Sequence, residues 1–231
     1  MTQHEHEEMI ITIDGPAGAG KSTAARSLAA RLGFEFLDTG AMYRAVAWVC
    51  QTRGVDLADA TAVTATASAI SLQFDTDRIM CNGQDVSTEI RTAEVSHAAS
   101  IVAAVTGVRH EMVRLQRESA AGHNFVTEGR DQGSVVFPDA DCKFFLTADT
   151  RERAERRLRE LEGRGQPGSL DEVMTQIVDR DERDRNREVG PLVMAEDAIE
   201  VDTTGRTIDE VIDILESRSR EKLGLTNEAP A

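Results

Sequence analysis

Short apolar runs alternate with longer stretches of helical periodicity along most of this chain. Met9-Ile10-Ile11-Thr12-Ile13 is largely β-branched and free of Gly or Pro, which predicts a buried strand. Thr23 to Leu32 follows with helical composition (Ala24, Ala25, Leu28, Ala29, Ala30, Leu32) and stops at Gly33. Phe34-Glu35-Phe36-Leu37 predicts a second strand, Asp38-Thr39-Gly40 a loop, and Ala41 to Trp48 a second helix. Residues 124–127, 143–146 and 198–201 predict three more strands, each separated from the next by helical sequence. Strands alternating with helices imply an α/β fold: a doubly wound parallel sheet with helices on both faces.

The first strand and helix are joined by Gly15-Pro16-Ala17-Gly18-Ala19-Gly20-Lys21-Ser22, which fits the phosphate-loop pattern G-x-x-x-x-G-K-[ST] at every fixed position. Glycines at 15, 18 and 20 let backbone N–H groups turn inward around an anion, and the helix dipole adds to that field. Lys21 can reach the β- and γ-phosphates of a nucleoside triphosphate, and the Ser22 hydroxyl can coordinate Mg²⁺. Such loops make this a P-loop NTPase-type sheet. Ligands of open α/β sheets bind at the carboxyl ends of the strands. Asp38, Thr39, Tyr43 and Arg44 are therefore expected where a second substrate would meet the loop. Glu128, at the tip of the 124–127 strand, is placed as a Mg²⁺-binding carboxylate, with Arg130 and Asp131 facing the same crevice.

Two regions depart from the simple alternation. Residues 59–70 are weakly helical, and 71–91 break into short pieces around the tight-turn pair Asn82-Gly83, predicting a small inserted antiparallel sheet. Residues 92–120 read as one or two helices, with Val108, Met112, Val113 and Leu115 inward. Pattern alone leaves Arg109, Arg114 and Arg117 on solvated faces. The second region, 151–187, contains Arg151, Arg153, Arg156, Arg157, Arg159, Arg164, Arg180, Arg183, Arg185 and Arg187 with no lysine. It predicts two helices joined at 163–168 by a Gly/Pro connector that can act as a hinge. Arg153, Arg156 and Arg157 share one helical face, as do Arg180, Asp184 and Arg187. A solvated hairpin knitted by Glu152, Glu155, Glu160, Asp181 and Glu182 is the plain alternative. Two aligned arginine faces beside a phosphate loop favour a closing lid.

Composition narrows the function. A net charge of −15 disfavours nucleic-acid and acidic-membrane partners, and only Lys21, Lys143 and Lys222 are lysines, so arginine must do the anion binding. Cys50, Cys81 and Cys142 have no metal or redox spacing, and buried thiols are expected. No run suggests a signal peptide or a membrane span, which points to the cytoplasm. His4 and His6 read as part of a polar tail at 1–8, matched by another at 224–231.

Five motifs in order resemble bacterial cytidylate kinase: Ile-Asp-Gly-Pro-Ala-Gly-Ala-Gly-Lys-Ser (13–22), Asp-Thr-Gly-Ala-Met-Tyr-Arg (38–44), Asp-Val-Ser-Thr-Glu-Ile-Arg (85–91), Gly-Arg-Asp-Gln-Gly-Ser-Val-Val-Phe-Pro-Asp-Ala (129–140) and Arg-Asp-Glu-Arg-Asp-Arg-Asn-Arg (180–187). The resemblance runs from about Ile10 to Leu215. It implies a monomeric enzyme, spanning 9–223, that moves the γ-phosphoryl group of ATP to CMP or dCMP with Mg²⁺. The core would be 9–40, 121–150 and 188–223, the monophosphate-binding insertion about 41–120 and the lid about 151–187. Carried over by position, Gly15 to Thr23 would hold ATP, with Ser22 and Glu128 on the metal. Ser100, Arg109 and Asp131 would contact cytosine, which reverses the surface reading of Arg109. Arg44, Arg130 and Arg187 would hold the acceptor phosphate, beside Thr39 and Tyr43, while Arg180 and Asp184 would contact the ribose. Lys21, Arg130, Arg153, Arg157 and Arg187 would neutralise the transferring group, and Arg156 would belong to the lid. Glu128 stands where relatives often carry Asp, and Ser22 where they often carry Gly. Another small-molecule kinase on this scaffold, for uridylate, adenylate or shikimate, is the nearest rival; a nucleotide-binding regulatory switch is the other.

Overall fold

The computed structural model describes residues 8–75, 78–163, 165, 166 and 168–225. His4, His6, most of both tails, Thr76, Asp77, Arg164 and Pro167 lie outside the described residues.

Five strands form one parallel sheet: β1 (Ile10–Asp14), β2 (Glu35–Asp38), β6 (Phe125–Glu128), β7 (Cys142–Thr147) and β8 (Ile199–Asp202), in the order β2-β6-β1-β7-β8. Their registers set Asp38 opposite Glu128, Ile13 opposite Glu128 and Asp14 opposite Phe145, so the carboxyl ends of β1, β2 and β6 meet at one edge. Helices α1 (Lys21–Leu32) and α8 (Ile208–Leu223) cover one face, where Ile11, Ile13, Leu28, Phe144, Leu146 and Leu215 are buried together. The other face packs against α2 (Thr39–Thr52) and α5 (Thr106–Ala120), joined by α3 (Ala60–Ser68) and α4 (Ala93–Val102) in a second core around Met42, Val46, Val108 and Met112.

The inserted antiparallel sheet is present as β3 (Leu72–Asp75), β4 (Arg78–Cys81) and β5 (Gln84–Asp85). Asn82 and Gly83, at φ 51° and 78°, make the predicted turn between its last two strands. The arginine-rich stretch forms α6 (Thr150–Glu162) and α7 (Leu170–Arg185), which share a small core of Ala154, Leu161, Val173 and Ile177.

Several boundaries shift for identifiable reasons. The 38–40 stretch is not a loop: the Asp38 carboxylate accepts the Ala41 N–H at 2.9 Å, and that cap starts α2 at Thr39. The first helix begins at Lys21 rather than Thr23, directly after Gly20 in the left-handed conformation. Gln132–Val136 forms an unpredicted π-helical turn. Val113 and Leu115 are only partly buried, while Arg109 and Gln116 join Val108 and Met112 among the fully buried side chains of α5.

Candidate active site

The phosphate loop wraps the start of α1. Gly15 has φ +144°, and a Cβ there would collide with the Leu146 carbonyl of the neighbouring strand. Lys21 is buried, and its Nζ donates to the Pro16 carbonyl at 2.7 Å. Burial, then the nearby Arg130 charge, pushes this amine down to about 7, with Glu128 pulling the other way. The Ser22 hydroxyl donates to Glu128 Oε1 at 2.9 Å, so the two residues expected at a metal lie side by side. Thr39 Oγ1 donates to the Glu128 carbonyl at 2.6 Å, fixing the tip of β6.

Asp184 of α7 gathers the expected acceptor-side arginines. Its carboxylate lies 2.9 Å from Arg130 Nε, 3.6 Å from Arg187 Nη1 and 4.0 Å from Arg180 Nε. Burial would raise this acid, but Arg130, Arg180 and Arg187 outweigh it and hold the group below the ordinary aspartate range. Arg180 is pushed down to about 10 by burial and then by Arg130. Arg44 pairs with Asp38 at 3.1 Å and leaves Nε buried without a hydrogen bond. Arg157, partly exposed, pairs with Glu160 at 3.0 Å and lies close enough to Arg180 to depress it.

Arg109 and Asp131 form a buried ion pair whose guanidinium sits 5.6 Å from the centre of the Tyr43 ring. Burial pushes the Tyr43 phenol up to about 12. Gly190 lies against the pair so closely that a Cβ would collide with both partners. Arg109 also donates to the Ala103 carbonyl at 3.3 Å, at the end of α4, one turn beyond Ser100. Ser100 Oγ is buried with no hydrogen bond. No hydrogen bond joins Ser100 to the Arg109–Asp131 pair among the described residues.

Arg153 sits elsewhere than expected of a mobile lid cation. It is buried beneath the phosphate loop, donating to the carbonyls of Ala17 (2.9 Å) and Ala148 (3.2 Å), to Thr150 Oγ1 (3.1 Å) and to Asp181 (2.5 Å). Those bonds hold its guanidinium among the Ala17 and Ala148 carbonyls, Thr150 and Asp181. Arg156 is likewise tied to Glu152 and to the Thr203 carbonyl. The exposed Arg114 pairs with Glu111 and Glu118 on the surface, while Arg117 donates to the carbonyls of Val135 and Val136.

The sequence profile of the cytidylate kinase family matches residues 11–220. The chain belongs to the cytidylate kinase family. It is 50% identical to the cytidylate kinase of Rhodopirellula baltica over 203 residues, 88% of this chain and 89% of that one. It is 49% identical over 220 residues to a bifunctional pantoate ligase/cytidylate kinase of Parasynechococcus marenigrum, covering 93% of this chain but only 44% of that longer protein. Among solved structures, an uncharacterized protein from Eubacterium ventriosum superposes with a TM-score of 0.53 at 13% identity, covering 91% of this chain and 98% of that one. That last likeness is one of fold alone.

Three residues of this cytidylate kinase family member have places that sequence reading did not give them. Asp14 accepts the N–H groups of Gln132 (2.9 Å) and Gly133 (2.8 Å), pinning the turn that follows Asp131. Gln132 in turn donates to buried Gln116 at 3.0 Å. Asp181, read as a partner in a solvated hairpin, is buried against the phosphate loop. Its signal was available: Val173, Ile177, Asp181 and Asp184 form one buried stripe of α7, and carboxylates continuing an apolar stripe need buried partners.

Burial pushes the Asp14 carboxyl up to about 7, against the two N–H bonds that favour its charge. A carboxyl raised in the folded state binds more protons there than in the unfolded chain. Its contribution is therefore greatest below about pH 4 and is lost as pH rises through 7. Asp14→Asn removes that titration. Urea unfolding at pH 5 and pH 7.5 is expected to show the variant gaining about 2–3 kcal/mol relative to the unaltered protein over this range. A difference independent of pH contradicts the raised carboxyl.

Proposed function

We propose that this chain transfers the γ-phosphoryl group of ATP to CMP or dCMP, yielding ADP and CDP or dCDP. One observation carries the reading beyond family membership: buried donors without a hydrogen-bond partner in the protein recur through the acceptor-side residues. They are Arg44 Nε, Arg180 Nε, Arg187 Nε and Nη2, Arg109 Nε and Ser100 Oγ. Buried polar atoms are nearly always satisfied, so such a set points to a ligand rich in acceptors. A nucleoside monophosphate offers that chemistry: phosphate oxygens for arginine forks, sugar hydroxyls, and a base edge.

The residues divide the work by charge. Residues 15–23 cradle the donor's phosphates through backbone N–H groups, and Lys21 adds its ammonium at the β- and γ-phosphates. Arg44, Arg130 and Arg187 hold the acceptor phosphate, with Thr39 and Tyr43 shaping its surroundings. Because that phosphate is already a nucleophile, alignment and charge neutralisation suffice and no strong base is needed. Hard oxygen donors on Ser22 and Glu128 suit Mg²⁺, which keeps several waters and takes phosphate oxygens as further ligands. When bound there, Mg²⁺ would neutralise charge on the donor's phosphates. Among the described residues no group of three His, Cys, Asp or Glu side chains could hold a metal ion. Cytosine presents an amine to the Asp131 carboxylate and acceptors to Arg109, whereas uracil would set a carbonyl against the carboxylate.

In the same reading, 9–223 is one kinase domain: a core of 9–40, 121–150 and 188–223, an acceptor-binding insertion near 41–120, and a lid at 151–187. The separate small core shared by α6 and α7 supports their moving as one piece. Closure would exclude water from the transfer. Among the described residues no helix is long and apolar enough to cross a membrane. A net charge of −15 further favours small nucleotides over nucleic acid, in a cytoplasmic monomer.

The test is ADP release from ATP with CMP, dCMP, UMP, AMP or shikimate as sole acceptor. CMP or dCMP should dominate. Equal turnover of UMP contradicts the base reading, and no turnover with any acceptor favours the regulatory switch. A finer expectation concerns the sugar contact. Arg180→Ala should raise KM for CMP by about tenfold or more while changing KM for ATP by less than about threefold. Unchanged acceptor kinetics contradict its role.

A further inference from the structure

One buried ion pair grips the phosphate loop from both sides of a single residue. The Asp181 carboxylate accepts the Ala17 N–H at 3.1 Å, and Arg153 donates to the Ala17 carbonyl at 2.9 Å. The two side chains bond to each other at 2.5 Å and are only 3% and 5% exposed. Arg153 is anchored at the start of α6 by Ala148 and Thr150, and Asp181 lies on α7 between Arg180 and Asp184. The helix that presents Arg180 and Asp184 to the acceptor therefore hangs directly from the loop that receives the donor. The junction is nearly free of solvent exposure, so a shift of the Ala17 peptide acts on the pair with little screening.

From this geometry we infer that the Asp181–Arg153 pair is the joint that couples the two nucleotide sites, so that filling the phosphate loop sets the position of α7 and with it the acceptor's affinity. The inference rests on the functional reading above and adds to it. Neither side chain needs to touch a nucleotide; both act as positioning residues. Arg153 thereby has a positioning role that its buried place allows. Coupling of this kind is reciprocal: CMP must tighten or loosen ADP by the same factor that ADP applies to CMP.

The test measures the dissociation constant of Mg-ADP by calorimetry with and without saturating CMP, in the unaltered protein and in Asp181→Asn and Asp181→Ala. The unaltered protein should show at least about a fivefold ratio between the two constants. In both variants the ratio should fall to within about twofold of one. A merely structural role would lower the melting temperature yet leave the ratio intact. A retained ratio in a folded variant, or a ratio of one in the unaltered protein, overturns the joint. Failure of CMP to bind the unaltered protein at all would instead sink the acceptor reading. Should both variants fail to fold, hydrogen exchange on the unaltered protein decides. Mg-ADP alone should slow exchange in α7, and CMP alone should slow it in residues 15–22; no change in either direction contradicts the coupling.

Discussion

Lys21→Met should lower kcat by about 10³-fold while the protein remains folded. The side chain it replaces is buried inside the loop, and its Nζ rests on the Pro16 carbonyl. Burial and the neighbouring Arg130 depress the amine to about 7. A polyphosphate reverses that bias by supplying negative charge at short range, so the ammonium is favoured just where charge shifts during transfer. Methionine keeps the length and the apolar stem but brings no charge and no donor. Rapid-quench single turnover with ATP and CMP separates the transfer step from product release, and circular dichroism checks the fold. A fall of less than about tenfold would remove Lys21 from the chemistry.

Asp131→Asn should cut kcat/KM for CMP by about 10²–10³-fold and lower the CMP-to-UMP preference by at least as much. The carboxylate is the acceptor partner of Arg109 in a site almost without solvent. An asparagine can turn either its carbonyl or its amine toward the base, so the repulsion of a uracil carbonyl disappears along with the attraction for a cytosine amine. The loss is expected in acceptor kinetics, with KM for ATP nearly unchanged, because the Asp131 carboxylate pairs with Arg109 rather than with residues 15–23. Steady-state kinetics with both pyrimidine monophosphates test this. An unchanged preference would show that the base is read elsewhere.

Much of the molecule was legible because its strongest signals are local. The strand–loop–helix around Lys21 combines an apolar run, a fixed glycine spacing and a helical stretch, and all three agree. Asn82-Gly83 announced its turn in two residues. The alternation of strands and helices gave the parallel sheet, since few topologies satisfy it. What stayed hidden depends on contacts between distant segments. Arg109 occupies a core position of α5 by a pattern that ordinarily means surface; Asp131, 22 residues away, the Ala103 carbonyl and the Tyr43 ring make that burial tolerable. The sequence offers Asp181 only as a partner for a solvated hairpin and Arg153 as a lid cation, because nothing local reveals that both bond to the Ala17 peptide, 164 residues from Asp181. The π-helical turn at Gln132–Val136 owes its place to Asp14, a partner on another strand. Helix α2 began early for the opposite reason: Asp38 caps it locally, a signal that was present and read as a loop.

The most direct test is a crystal structure with a non-hydrolysable ATP analogue and CMP bound together. The account predicts the triphosphate in residues 15–23 and the acceptor phosphate among Arg44, Arg130 and Arg187. It also predicts the cytosine amine within hydrogen-bonding distance of the Asp131 carboxylate. A cytosine bound away from Arg109 and Asp131, with those arginines turned to solvent, would contradict it.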